Sequence, residues 1–111
     1  MDFHQVVFSP TGGTAKVASA ITKAWGDVPT IDISNPILDC AGVVLNRDSL
    51  VLIAMPSFGG LAPQVALDRL AAMRGNGAAC ALAAVYGNRA YEDTLVQMED
   101  AAKGAGFQVI V

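Results

Sequence analysis

The run Ser9-Pro10-Thr11-Gly12-Gly13-Thr14 packs three hydroxyls and two glycines into six residues. Glycines let successive backbone N–H groups turn inward around an anion. A helix opening at such a run adds the partial positive charge of its N-terminus. The hydroxyls of Ser9, Thr11 and Thr14 can donate to phosphate oxygens. No lysine stands inside the run, and it is not GxGxxG, so it is neither a nucleoside-triphosphate loop nor a dinucleotide fingerprint. A neutral, hydroxyl-lined loop suits one terminal monophosphate. Lys16 is close enough to add charge, but not as a direct ligand. A plain helix cap needs one such side chain, and this run supplies more.

Two further runs carry related chemistry. In Pro56-Ser57-Phe58-Gly59-Gly60-Leu61-Ala62-Pro63 an aromatic sits among residues that core packing does not require. Phe58 there can stack on a planar ring. The glycines let backbone approach that ring and let a peptide flip to offer a carbonyl or an N–H. In Tyr86-Gly87-Asn88-Arg89-Ala90-Tyr91, Asn88 can bond a heterocycle edge as donor and acceptor. Tyr91 can form a second aromatic wall or pack on a helix stripe. Arg89 can meet an anion or stay solvated.

Other chemistries are poorly supplied. His4 is the one histidine, and Cys40 and Cys80 are the two cysteines, with no metal-ligand spacing. No metal site and no catalytic side chain are expected. His4 reads as a core or sheet-edge residue, and the cysteines as buried free thiols. Lys and Arg number 7 against 10 Asp and Glu, with no basic cluster, which argues against nucleic acid. With 53% hydrophobic and 15% charged residues the chain is neither disordered nor a coiled coil. No apolar window is long enough to cross a membrane. The N-terminus lacks the basic region of a secretory signal, so a reducing cytoplasm is expected.

The elements that would position these runs alternate strand and helix. Strands are expected over residues 3–8, 28–33, 50–55, 78–86 and 107–111. Helices are expected over 14–25, 63–74 and 91–103. The first helix shows the stripe Val17, Ala20, Ile21, Ala24 and Trp25; the second Ala66, Leu67, Leu70 and Met73; the third Tyr91, Leu95, Met98 and Ala102. Residues 37–48 read as a loop, a short helix, or both. Continuous apolar strands between helices predict an α/β, doubly wound parallel sheet in one domain spanning 1–111. Ligands of such sheets bind beyond the carboxyl ends of the strands, where all three runs fall.

With the three runs in view, the chain resembles the flavodoxin family over nearly its whole length. Ser9–Thr14 is similar to that family's flavin-phosphate loop, T/S-x-T-G-x-T. The second and third runs resemble the flavodoxin-like half of two-module proteins that continue into a ferredoxin domain. That subgroup has an arginine where Leu61 stands here. The resemblance implies a three-layer α/β/α fold with strand order 2-1-3-4-5 and FMN as cofactor. Ser9, Thr11, Gly12, Gly13 and Thr14 would hold the phosphate. Pro56, Ser57, Phe58 and Gly59 would line one side of the isoalloxazine, and Tyr86, Gly87, Asn88, Arg89 and Tyr91 the other. The family's last helix has no counterpart before Val111, which leaves an apolar sheet face open and leads us to expect self-association through it.

The implied function is an FMN-binding electron-transfer module working with a redox partner protein, an iron–sulfur protein among the candidates. Two alternatives share the loops. One is a flavin-dependent reductase using NAD(P)H, which needs a second pocket over the flavin. The other is a flavin-free interaction domain of the same fold. A phosphorylation-type receiver is disfavoured, because Phe8-Ser9 and Met55-Pro56 hold no carboxylate where one would be needed.

Overall fold

The computed structural model describes residues 3–10, 12–26, 28–35, 37–57, 62–85 and 92–110. Five strands form one wholly parallel sheet: β1 (Phe3–Val7), β2 (Thr30–Asp32), β3 (Leu50–Pro56), β4 (Ala79–Val85) and β5 (Gln108–Val109). Their order across the sheet is β2-β1-β3-β4-β5, as expected. Three α-helices connect them among the described residues: α1 (Gly13–Thr22), α2 (Gln64–Ala72) and α3 (Glu92–Gly104). Residues 37–48 hold a 3₁₀ turn, Cys40–Gly42, and a bridge between Val44 and Arg74. No described helix is long and apolar enough to cross a membrane.

The two faces of the sheet are built differently. On the α2/α3 face, Val6, Phe8, Val51, Ile53 and Met55 pack with Leu70, Met98, Ala102 and Phe107. The expected α2 stripe stands: Ala66, Leu67, Leu70 and Met73 are all buried. On the α1 face the cluster is small, with Val7, Ala18, Leu52 and Ala54 at its centre. Cys40 and Cys80 are free and buried, as their apolar surroundings suggested.

The expected α1 stripe is corrected. Thr14, Ala18 and Thr22 are the buried positions, whereas Val17 and Ile21 are 39% and 45% exposed. The cause is polar. Beneath the helix lies Gln5 of β1, buried at mid-sheet. Thr22 Oγ1 donates to Gln5 Oε1 at 3.0 Å, and Gln5 Nε2 donates to Thr30 Oγ1 at 2.6 Å. A buried carboxamide needs partners, so the helix turns Thr22 inward. The α1 helix also begins one residue earlier than expected and ends at Thr22, followed by the 3₁₀ turn Lys23–Trp25. Trp25 packs on Phe3 with ring centroids 5.2 Å apart.

At the amino edge of the sheet, two turns lie backbone against backbone. The Gly75 N–H donates to Ala105 O and the Gly77 N–H to Gly106 O, each at 2.7 Å. A Cβ on Gly75 would stand 2.7 Å from the Phe107 ring and from its backbone N. Gly75→Ala therefore should destabilise the chain by about 2 kcal/mol through overpacking. Gly104→Ala, whose Cβ meets nothing within 4 Å, should be neutral or slightly stabilising. Urea denaturation of the two variants checks the contrast.

Burial pushes the Cys80 thiol up from 9.0 to about 11. A raised folded-state value means that the unfolded chain ionises first as pH climbs. Stability from this group is therefore whole below pH 9.0 and is lost as pH rises towards about 11. Denaturation midpoints taken between about pH 8 and about pH 10 should fall, and fall less in Cys80→Ala.

Candidate functional site

The parallel register brings the strand exits together. Val7 pairs with Ala54, and Pro56 pairs with Val85. Ser9 thus follows β1 at the level where Pro56 ends β3, and β4 ends at Val85 beside it. Neighbouring strands lie about 4.8 Å apart, so the three exits span roughly 10 Å of one edge. The order reverses between β1 and β3, since one chain path runs outward to β2 and the other to β4 and β5. That switch point is where a cleft opens in a doubly wound sheet.

The first loop closes onto α1. The Ala15 N–H donates to Ser9 Oγ at 3.0 Å. The Lys16 N–H makes the first bond of the helix, to Gly12 O at 3.1 Å. The N–H groups of Gly13 and Thr14, first in the helix, have no intrahelical acceptor and none among the described residues. Gly12 holds φ 91°, a left-handed conformation that favours glycine. The first turn carries no acidic side chain, so nothing there repels an anion. Ser9 accepts with its oxygen and keeps its own O–H to donate. Gly13 is exposed, Gly12 half-buried, and Thr14 buried. Thr11 lies outside the described residues.

The second loop is pinned at both ends. Pro56 is buried as the last residue of β3, and the Ser57 N–H donates to Val85 O at 2.8 Å. The Ser57 and Thr94 hydroxyl oxygens are 2.7 Å apart. The Ala62 N–H donates to Gln97 Oε1 at 2.9 Å. Phe58 and Gly59, and all of Tyr86, Gly87, Asn88, Arg89 and Tyr91, fall outside the described residues.

Sequence reasoning missed Thr94 and Gln97. Of the expected α3 stripe, Met98 and Ala102 are buried and Leu95 packs against the core. Thr94, one turn before Met98, is 0% exposed as well. A threonine within an apolar helix stripe was the available signal, because a buried hydroxyl must find a partner. Another missed contact is Arg69 of α2, which donates to the carbonyls of Ile33 and Asn35 just past β2. A lone arginine on a helix announces no such partner.

Two clefts lined by described residues lie elsewhere. One, of about 600 Å³, runs between β2 and α1 past Gln5, Ser19, Thr22, Lys23 and Thr30. Its Gln5, Thr22 and Thr30 groups already bond one another. The other, of about 410 Å³, is lined by His4, Ile31, Val44, Leu45, Asn46 and Asn76. Asn76 Nδ2 there donates to Leu45 O at 3.0 Å. Among the described residues no group of three His, Cys, Asp or Glu side chains could hold a metal ion.

Known structures place the fold. The Flv1 flavodiiron core from Synechocystis sp. PCC6803 is similar with a TM-score of 0.62 and 21% identity, over 98% of this chain. This chain spans only 28% of that one. A flavoprotein from Lactobacillus acidophilus NCFM, solved in complex with FMN, is similar with a TM-score of 0.67 and 16% identity. That likeness covers 98% of this chain and 89% of the other. No protein-family model matches the chain, and a comparison with curated proteins finds no match. The fold is flavodoxin-like.

Proposed function

We propose that the chain binds FMN at the carboxyl edge of its sheet and works as an electron-transfer module for a protein partner. The observation that carries this is the start of α1. Two backbone N–H groups, on Gly13 and Thr14, have no acceptor among the described residues and stand beside a serine that keeps a hydroxyl to donate. Hydrogen bonds from such donors to a dianionic phosphate are the strong, charge-assisted kind, and the helix dipole adds to them. The fold-level likeness to a flavoprotein solved with FMN supports the same reading.

In this reading Ser9, Thr11, Gly12, Gly13 and Thr14 hold the phosphate. Pro56, Ser57, Phe58 and Gly59 line one side of the ring system, and Tyr86, Gly87, Asn88, Arg89 and Tyr91 the other. FMN would supply the redox chemistry, accepting and releasing electrons, while the protein sets its affinity and its surroundings. In this reading no side chain need act as acid or base. A net charge of −3 disfavours additional negative charge on the bound group, which lowers its reduction potential.

Titrating FMN with the chain should quench flavin fluorescence with one-to-one stoichiometry. Riboflavin lacks the phosphate and should bind at least about a hundredfold more weakly, the loss expected from two charge-assisted hydrogen bonds of about 1.5 kcal/mol or more each. Unchanged fluorescence, or equal affinity for the two flavins, would remove the basis for a phosphate loop.

A further inference from the structure

We infer that α3 is the positioning element of the flavin site, and that Thr94 and Gln97 are its positioning residues. The inference rests on the FMN reading above and adds to it two residues outside the three loops. Thr94 and Gln97 stand three positions apart on α3, hence on one side of the helix. Thr94 grips Ser57 where the second loop leaves β3, and Gln97 grips Ala62 where that loop returns towards α2. The two ends of the loop are thereby set by the spacing of two side chains on one rigid helix. The same helix begins directly after the third loop, and the strand ends beneath the two loops are joined by the Ser57–Val85 bond. Movement of α3 therefore acts on Ser57 and Ala62 together, while the phosphate loop on β1 has no such bond to α3 among the described residues.

Packing alone does not ask for these side chains. Thr94 is wholly buried beside an apolar stripe, where a valine would fill the same space without a hydroxyl. A buried hydroxyl earns its place through a partner, and Ser57 is the partner it has. The Gln97 carbonyl oxygen satisfies the Ala62 N–H just ahead of Pro63, which has no N–H of its own and opens α2.

The test uses Thr94→Val, Thr94→Ser and Gln97→Met in the full chain, with FMN and riboflavin as probes. Thr94→Val and Gln97→Met should each weaken both flavins by the same factor, about five- to tenfold, since the phosphate loop is untouched. Thr94→Ser, which keeps the hydroxyl, should restore wild-type affinity. A general loss of stability would also weaken both flavins by one factor, through the folded fraction, but it would speed amide exchange across the whole core rather than at one loop end. Amide exchange in the flavin-free chain gives the second readout: the Ser57 amide should exchange faster in Thr94→Val and the Ala62 amide in Gln97→Met. Wild-type flavin affinity with unchanged exchange in both variants would overturn the inference, as would failure of Thr94→Ser to rescue. If the wild type binds no flavin, the FMN reading fails and the role of α3 as a flavin-site positioner falls with it. The exchange data then still decide whether α3 holds the second loop.

Discussion

Parallel pairing is the constraint on which the rest depends. A parallel strand cannot return through a tight hairpin, so each is followed by a crossover. Every strand exit of this sheet therefore faces one edge, and the helices that follow begin there. The positive ends of their dipoles are gathered at the same edge. β3 sets the level: it pairs with β1 through Ala54 and with β4 through Pro56. Shifting β3 by one residue would separate Ser9 from Ser57 and would send Ile53 and Met55 to the wrong face.

The unequal faces follow from what each must do. The α2/α3 face carries the large side chains, and most of the apolar burial is there. The α1 face is thin, with Ala18 and Ala54 letting the helix lie close to the strands. Close approach fixes where α1 starts, and thereby where the N–H groups of Gly13 and Thr14 stand relative to the end of β1. The Gln5–Thr22–Thr30 bonds hold the far end of the same helix. Val17 and Ile21 are left on the flank turned away from that polar contact, since Ser19 and Thr22 face the β2 side.

The sequence made the architecture legible because apolar runs between helical patterns have few other solutions. The residues 50–55 were readable as a central strand from six consecutive apolar side chains, and the run Ser9–Thr14 as an anion loop from its composition. The rotation of α1 was not readable, because hydropathy counts Val17 and Ile21 as core and Thr14 and Thr22 as surface. Gln5 accounts for Thr22, whose hydroxyl donates to the buried carboxamide. The Ser57–Thr94 contact was hidden for a different reason. It joins residues 37 positions apart, and no local pattern encodes which buried hydroxyl meets which loop. The approach of Gly75 to Phe107 is likewise a matter of tertiary geometry.

Amide chemical-shift mapping of the labelled chain with FMN tests the proposed binding of a flavin phosphate where α1 begins. The largest shifts are expected at Gly12, Gly13 and Thr14, with Ser57 shifting as well, and little change at Gly75 and Gly77 on the opposite edge. Shifts centred on the amino edge, or none at Gly13 and Thr14 at saturating FMN, would contradict it.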